Sequence, residues 1–174
     1  MTRPRRPAAF LDRDGTLNVD TGYVFRPEDL IWTKDAPAAV CLLNRAGYYV
    51  FVVTNQSGVA RGLYSEKDIE RLHAHMQEHF HAAGAHVDAF YYCPHHPDGS
   101  VKALAIACRC RKPGTGMLEQ AAAEWPIDRA RSVMIGDQDR DMGAAAAFGI
   151  RGVRFDPTTC SLPELLAREL ALRA

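Results

Sequence analysis

Ala8-Ala9-Phe10-Leu11-Asp12-Arg13-Asp14-Gly15-Thr16 is the stretch that decides the fold. Ala8 to Leu11 reads as a short buried strand, and Asp12 stops it at an acidic loop. Asp12 and Asp14 lie two positions apart at the end of that strand, where they repel each other unless a cation or a proton relieves them. Carboxylate oxygens of this kind suit a hard ion such as Mg²⁺, which takes one or two protein carboxylates and leaves room for water and a phosphate. A calcium loop of the EF-hand type needs its glycine at the sixth position, whereas Gly15 is fourth.

Outward from this stretch, short apolar runs alternate with helical ones. Asp35 is placed to cap a helix with Pro37 in its first turn, running to Ala46 with Gly47 as the stop. Tyr49 to Val53 is a strand rich in β-branched and aromatic residues, ending in Thr54-Asn55-Gln56-Ser57-Gly58. Ser65 with Asp68 forms a capping box for a helix to about Ala83, and Val87 to Tyr92 is the third strand. Helices over Met117–Trp125 and Asp141–Phe148 alternate with strands over Ser132–Ile135 and Ile150–Phe155, and Ser161 with Glu164 opens the last helix. This rhythm predicts an α/β fold, a parallel sheet covered on both faces, with ligands outside the carboxyl ends of its strands. The functional shortlist is therefore Asp12 to Thr16, Thr54 to Ser57, Cys93 onward, and Gly136 to Asp141.

Two of these strand ends carry carboxylates. Gly136-Asp137-Gln138-Asp139-Arg140-Asp141 ends a strand as Asp12 does, so Asp137 is expected to approach Asp12 and Asp14 from the side. Thr54 and Asn55 can grip a phosphoryl oxygen, and Arg111-Lys112 supplies the cations that a phosphate needs in an anionic pocket. The segment from Cys93 to Cys110 has no sustained periodicity and reads as an insert. Its Cys93, His95, Cys108 and Cys110 make a complete tetrahedral set for a structural Zn²⁺, with His96 within the same reach as His95.

Composition sets the outer bounds. The chain has 174 residues, consistent with one domain over 1–174 with an insert at about 93–110. At this size a folded surface of roughly 8,400 Å² is expected, enough burial for a core without disulfides. The balance of 21 basic against 21 acidic residues argues against a nucleic-acid partner. No run of about 18 apolar residues is present to span a membrane, and Ala8–Leu11 is too short for a secretory core. Five cysteines, an odd number, argue against a disulfide framework, so a cytoplasmic location is expected.

Asp12-x-Asp14-Gly15-Thr16, Thr54, Lys112 and Gly136-Asp137 with Asp141, in that order, resemble the four-motif set of the haloacid dehalogenase superfamily of phosphohydrolases. The resemblance implies a Rossmann-like three-layer sandwich. It also implies Asp12 as nucleophile, Asp14 as general acid and base, and Mg²⁺ held by Asp12, Asp14 and Asp137. Thr54 and Lys112 would hold the transferring group, with Asp141 orienting Lys112. Cys-Pro-His-His-Pro and Cys-Arg-Cys-Arg-Lys-Pro narrow the likeness to the D-glycero-D-manno-heptose 1,7-bisphosphate 7-phosphatases and their relatives, the histidinol-phosphate phosphatases. Members of this group lack a large cap domain, and a monomer acting on a small phosphorylated sugar is expected.

The likeness extends to the residues that would meet the substrate: Asp20, Thr21, Gly22 and Tyr23 after the first motif, Thr54, Asn55, Gln56 and Ser57 at the second, and Arg111 with Lys112 at the third. One position departs. A familiar version of the heptose branch has Lys directly after the Gly-Asp pair, and this chain has Gln138, which is expected at the same place against the substrate. Histidinol phosphate is the alternative substrate. A catalytically silent binding module is disfavoured because Asp12 and Asp14 are both present.

Overall fold

In the structure, a computed structural model that describes residues 4–172, β1 (Ala8–Leu11) lies at the centre of a five-stranded parallel sheet. β2 (Tyr49–Asn55) and β4 (Val133–Gly136) flank it, and β3 (Ala89–Cys93) and β5 (Arg151–Arg154) form the edges, giving the order β3-β2-β1-β4-β5. Phe10 pairs with Phe51 on one side and Met134 on the other, and from the level of Leu11 β2 continues past Val52 to Asn55 and β4 past Ile135 to Gly136. Strand order reverses beside β1, which puts Asp12 at the switch point where such sheets bind ligands.

Side-chain alternation divides the core into two layers. Ala9, Leu11, Val50, Val52, Val133 and Ile135 pack under α1 (Ala36–Arg45), α2 (Glu66–Ala82) and α5 (Leu162–Leu170). Phe10, Phe51, Val53 and Met134 face α3 (Gly116–Glu124) and α4 (Asp139–Phe148). The result is the expected three-layer sandwich. Its surface is 8,535 Å². Among the described residues no segment forms a large cap: the chain between β1 and α1 holds one 3-10 turn, Pro27–Asp29, and the insert after β3 holds another, Lys102–Leu104. No described helix is long and apolar enough to cross a membrane.

Helix ends follow local chemistry, with two departures from expectation. Ser65 and Ser161 form the capping boxes read from the sequence. Asp35 precedes α1 but does not cap it, because its backbone is left-handed (φ 59°) and its side chain makes no cap bond. α4 begins at Asp139 rather than Asp141, since the Gln138 N–H donates to Asp141 Oδ2 at 3.0 Å and fixes an earlier first turn. β2 also runs two residues further than expected. Thr54 and Asn55 pair with Tyr92 and Cys93, so they sit on a strand end and not on a free loop.

Candidate active site

Lys112 is the hub. Its Nζ donates to Asp12 Oδ1 at 2.8 Å and Val53 O at 2.7 Å and pairs with Asp141 Oδ1 at 2.7 Å, and all three charged side chains are buried. Two of the ammonium's hydrogen bonds are thus made, to Asp12 and Val53, while the Asp141 contact is an ion pair whose Oδ1 makes no hydrogen bond. Asn55 grips the Lys112 main chain from both sides, accepting from its N–H at 2.9 Å and donating to its carbonyl at 3.1 Å. Asp141 completes the hold through the α4 cap. Burial, against the pull of Lys112, raises the Asp12 carboxyl from 3.8 to about 7.

Oxygens of Asp12, Asp137 and Asp141 lie within 4.8 Å of one another. Asp137 Oδ2 accepts from Gln138 Nε2 at 2.7 Å, while its Oδ1 is buried without a partner. Asp141 Oδ2 is committed to the α4 cap, whereas Asp141 Oδ1, ion-paired to Lys112, and Asp137 Oδ1 are buried without hydrogen bonds, so with Asp12 they are the carboxylate oxygens that face a hard cation. Gly15 (φ +84°) is required beside them, because a Cβ there would collide with the Asp137 carboxylate.

The Asp14 carboxylate does not join that cluster. It accepts from Arg13 NH2 at 3.0 Å, Asn18 Nδ2 at 3.0 Å and Gln56 Nε2 at 2.9 Å. Gln56 also donates to Thr54 Oγ1 and accepts from the Tyr64 hydroxyl at 2.7 Å. Asp14 lines a polar pocket of about 190 Å³ with Asn55, Gln56, Ser57, Tyr64 and Arg140. Asp20, Gly22 and Tyr23 close its rim, where Asp20 Oδ1 accepts from the Gly22 N–H at 3.0 Å. Thr21 is exposed on the same loop.

Beside the pocket the insert folds back on itself. Cys93, His95, Cys108 and Cys110 offer three sulfurs and a ring nitrogen within 4.8 Å of one another. His95 Nδ1 lies 3.7 Å from Cys93 Sγ and 3.4 Å from Cys110 Sγ, whereas His96 Nε2 faces Arg61 at 3.4 Å. The structure thus selects His95 over His96. Burial raises the Cys93 thiol and brings Cys110 to about 11, while Cys108, against burial, falls to about 7 through hydrogen bonds from Cys110 and Cys93. Three sulfurs and a ring nitrogen at this spacing match the donor set of a tetrahedral Zn²⁺. The chain next enters Arg111 and Lys112, so the cluster anchors the segment that delivers the hub lysine.

Comparison with known proteins bears on this geometry. The chain is 51% identical over 153 residues to D-glycero-β-D-manno-heptose-1,7-bisphosphate 7-phosphatase of Rhodopseudomonas palustris, covering 88% of this chain and 85% of the relative. The chain belongs to the heptose bisphosphate phosphatase family. The D,D-heptose 1,7-bisphosphate phosphatase of B. bronchiseptica, solved with magnesium and phosphate, matches this family member with a TM-score of 0.75 and 35% identity, over 84% of this chain and 78% of that one. A solved structure from Mesorhizobium loti superposes with a TM-score of 0.84 at 36% identity, over 99% of this chain and 90% of the other. A HAD-hydrolase-like family model matches residues 109–155, the stretch from the Cys108–Cys110 loop through the Asp137 motif.

Several residues of this phosphatase escaped the sequence reading. Arg140 lines the pocket two positions after Gln138, and the missing Lys was the signal that a cation should be sought nearby. Arg61 Nε and Arg111 NH1 are buried without hydrogen-bond partners, and no described carboxylate pairs with Arg61, Arg111 or Arg140. Burial and the charges of Arg140 and Arg61 lower the proton affinity of Arg111, so the three cations share one neighbourhood. Tyr64 carried no signal at all, because its contact with Gln56 depends on the loop that returns from β2 to α2.

Proposed function

We propose that the chain hydrolyses the 7-phosphate ester of D-glycero-β-D-manno-heptose 1,7-bisphosphate, giving the heptose 1-phosphate and inorganic phosphate. The observation that carries the reading is the buried Asp12–Lys112 contact beside a polar pocket lined by Arg140, which has no carboxylate partner among the described residues. Relatives named for the β anomer support that anomer.

Asp12 attacks phosphorus in line, forming a phosphorus–oxygen bond to its carboxylate as the bond to the sugar O7 breaks. Asp14 gives its proton to the leaving O7 and then takes one from water, whose oxygen attacks phosphorus and frees Asp12 with release of phosphate. Thr54 and Lys112 hold the transferring group, and Asp141 keeps Lys112 in register. Mg²⁺, when bound, would supply positive charge that offsets the negative charge of carboxylate and phosphate. Asp12 and Asp137 would hold it; the Asp14 carboxylate, expected from the sequence to join them, is instead turned toward Arg13, Asn18 and Gln56. The unpartnered Asp137 Oδ1 fits such an ion.

Arg111 and Arg140 would face the 1-phosphate, and the loop of Asp20, Thr21, Gly22 and Tyr23 would cover the sugar with Ser57. The imidazole amine of histidinol phosphate would meet these same cations, which favours the bisphosphate. Gln138 acts here by holding Asp137 and leaves the cationic role to Arg140. The Cys93, His95, Cys108 and Cys110 cluster is assigned to a structural Zn²⁺, and its need for reduced thiols points to the cytoplasm.

Phosphate release with Mg²⁺ tests the reading across both heptose 1,7-bisphosphate anomers, histidinol phosphate, fructose 1,6-bisphosphate and a 3′-phosphorylated oligonucleotide. Preference for the β anomer is expected. Preference for histidinol phosphate would keep the chemistry and overturn the substrate.

A further inference from the structure

Arg13 heads the fully buried side chains by size, yet its guanidinium is spent on the Asp14 carboxylate. Its Nε donates to Asp14 Oδ1 at 3.2 Å, and its NH2 reaches both Asp14 oxygens at 3.0 Å. The same NH2 donates to the Val24 carbonyl at 2.6 Å, at the end of the loop that carries Asp20 to Tyr23. One nitrogen remains, NH1, and it faces His73 Nε2 at 3.4 Å.

His73 comes from the middle of α2 and is 5% exposed. Its ring stacks on Phe90 with centroids 4.7 Å apart and planes at 21°, and meets Tyr92 edge-on at 6.1 Å. A guanidinium has no acceptor, so the His73 nitrogen must accept and its proton must sit on Nδ1. A leucine would fill the same space but leave the guanidinium N–H facing a wall without an oxygen or nitrogen.

We infer that His73 is a positioning residue: by accepting from Arg13 it fixes the guanidinium plane that orients the Asp14 carboxylate and ties the substrate loop at Val24 to α2. The inference rests on the reading of Asp14 as the acid and base of the proposed phosphatase. Arg13 is planar and forked, so the hydrogen bond on one side sets the direction of the bonds on the other. Burial and the Arg13 charge both hold the His73 pKa well below 6.5, which keeps the ring neutral. Arg13 and Tyr92 are the titratable groups that face it. Asp14 acts in the proton-transfer steps, so its misplacement lowers kcat more than it raises KM.

The test compares wild type with His73→Leu, which removes the acceptor, and His73→Gln, which restores one. The kinetic readouts are kcat, KM and melting temperature, and ¹⁵N–¹H spectra report the His73 tautomer. His73→Leu is expected to lose about tenfold in kcat with KM within about twofold, and His73→Gln to recover most of the loss at a comparable melting temperature. The ring is expected as the Nδ1–H tautomer, with Nε2 shifting when Arg13 is replaced by Lys. A kcat in His73→Leu equal to wild type, or an Nε2–H tautomer, would overturn the inference. Absence of turnover by wild type would instead overturn the phosphatase reading, while the tautomer would still judge the His73–Arg13 bond.

Discussion

Lys112 and Asp12 stand 100 residues apart in sequence, yet the ammonium donates to Asp12 Oδ1 at 2.8 Å in a site closed to solvent. The contact exists because Asp12 directly follows β1 while Asn55, at the end of the adjacent β2, clamps the Lys112 backbone. Asp12 and Asp141 share this one ammonium. Removing it leaves two buried carboxylates facing each other, a loss of about 3–5 kcal/mol by the usual cost of breaking a buried pair. Lys112→Met is therefore expected to lower stability in urea denaturation and to cut phosphate release at least about a thousandfold. Stability within about 1 kcal/mol of wild type would refute the hub assignment.

Asp12→Asn separates chemistry from folding. The amide has the same shape and its oxygen can still accept from Lys112, so the melting temperature is expected to stay within a few degrees of wild type. Turnover is expected to vanish and no phosphoenzyme to form, because an amide is not a nucleophile toward phosphorus. Acid-quenched labelling with a radiolabelled phosphate ester reads this directly. A labelled Asp12→Asn protein would place the nucleophile elsewhere.

The zinc assignment is tested without reference to turnover. Cys108→Ser removes one of four ligands and is expected to release the metal and lower the melting temperature by about 10 °C, taking about 3 kcal/mol over a chain of this size. Elemental analysis of wild type should find about one zinc per chain. Unchanged metal content and melting in Cys108→Ser would refute the assignment.

Much of this was legible because it is local. Ala8–Leu11 came out with its observed bounds, since an apolar run cut by a charge admits little choice, and the Ser65 and Ser161 boxes were written in their spacing. Asp137 was expected beside Asp12 because both follow strand ends that parallel topology gathers, while the place of Asp141 beside Lys112 was implied by the family resemblance. Side-chain direction inside a loop has no such period. Hence the turn of Asp14 toward Arg13, Asn18 and Gln56 was not readable, and neither was the stacking of His73 between Arg13 and β3. Asp35 shows the same limit: its position before α1 was legible, and its left-handed backbone was not.

Buried neutral His73 also gives a pH signature to stability. Its folded pKa lies well below the ordinary 6.5, so the unfolded chain binds the proton more readily. Stability from this site is complete above about 6.5 and is lost as pH falls below it, with a slope of up to about 1.4 kcal/mol per pH unit. Denaturation from pH 7.5 to 5.5 should show this decline in wild type and a shallower one in His73→Gln. Parallel curves for the two proteins would refute it.

Arg140 offers the sharpest test of substrate choice, because it lines the pocket where the familiar Lys after Gly-Asp is replaced by Gln138. A second phosphate needs a cation remote from the reacting one, whereas a monophosphate ester does not. Arg140→Gln is expected to raise KM for the heptose bisphosphate about tenfold, from loss of one charge-assisted contact, and to change KM for a simple monophosphate ester far less. Adding Gln138→Lys to that variant should recover part of the affinity, since the new ammonium lies one turn or less from the lost guanidinium. The double variant tests position as well as charge. Gln138 Nε2 holds Asp137 Oδ2, so the lysine also releases that carboxylate, and recovery of KM is expected with a lower kcat. Equal KM values for the bisphosphate in wild type and Arg140→Gln would remove Arg140 from the binding of the second phosphate.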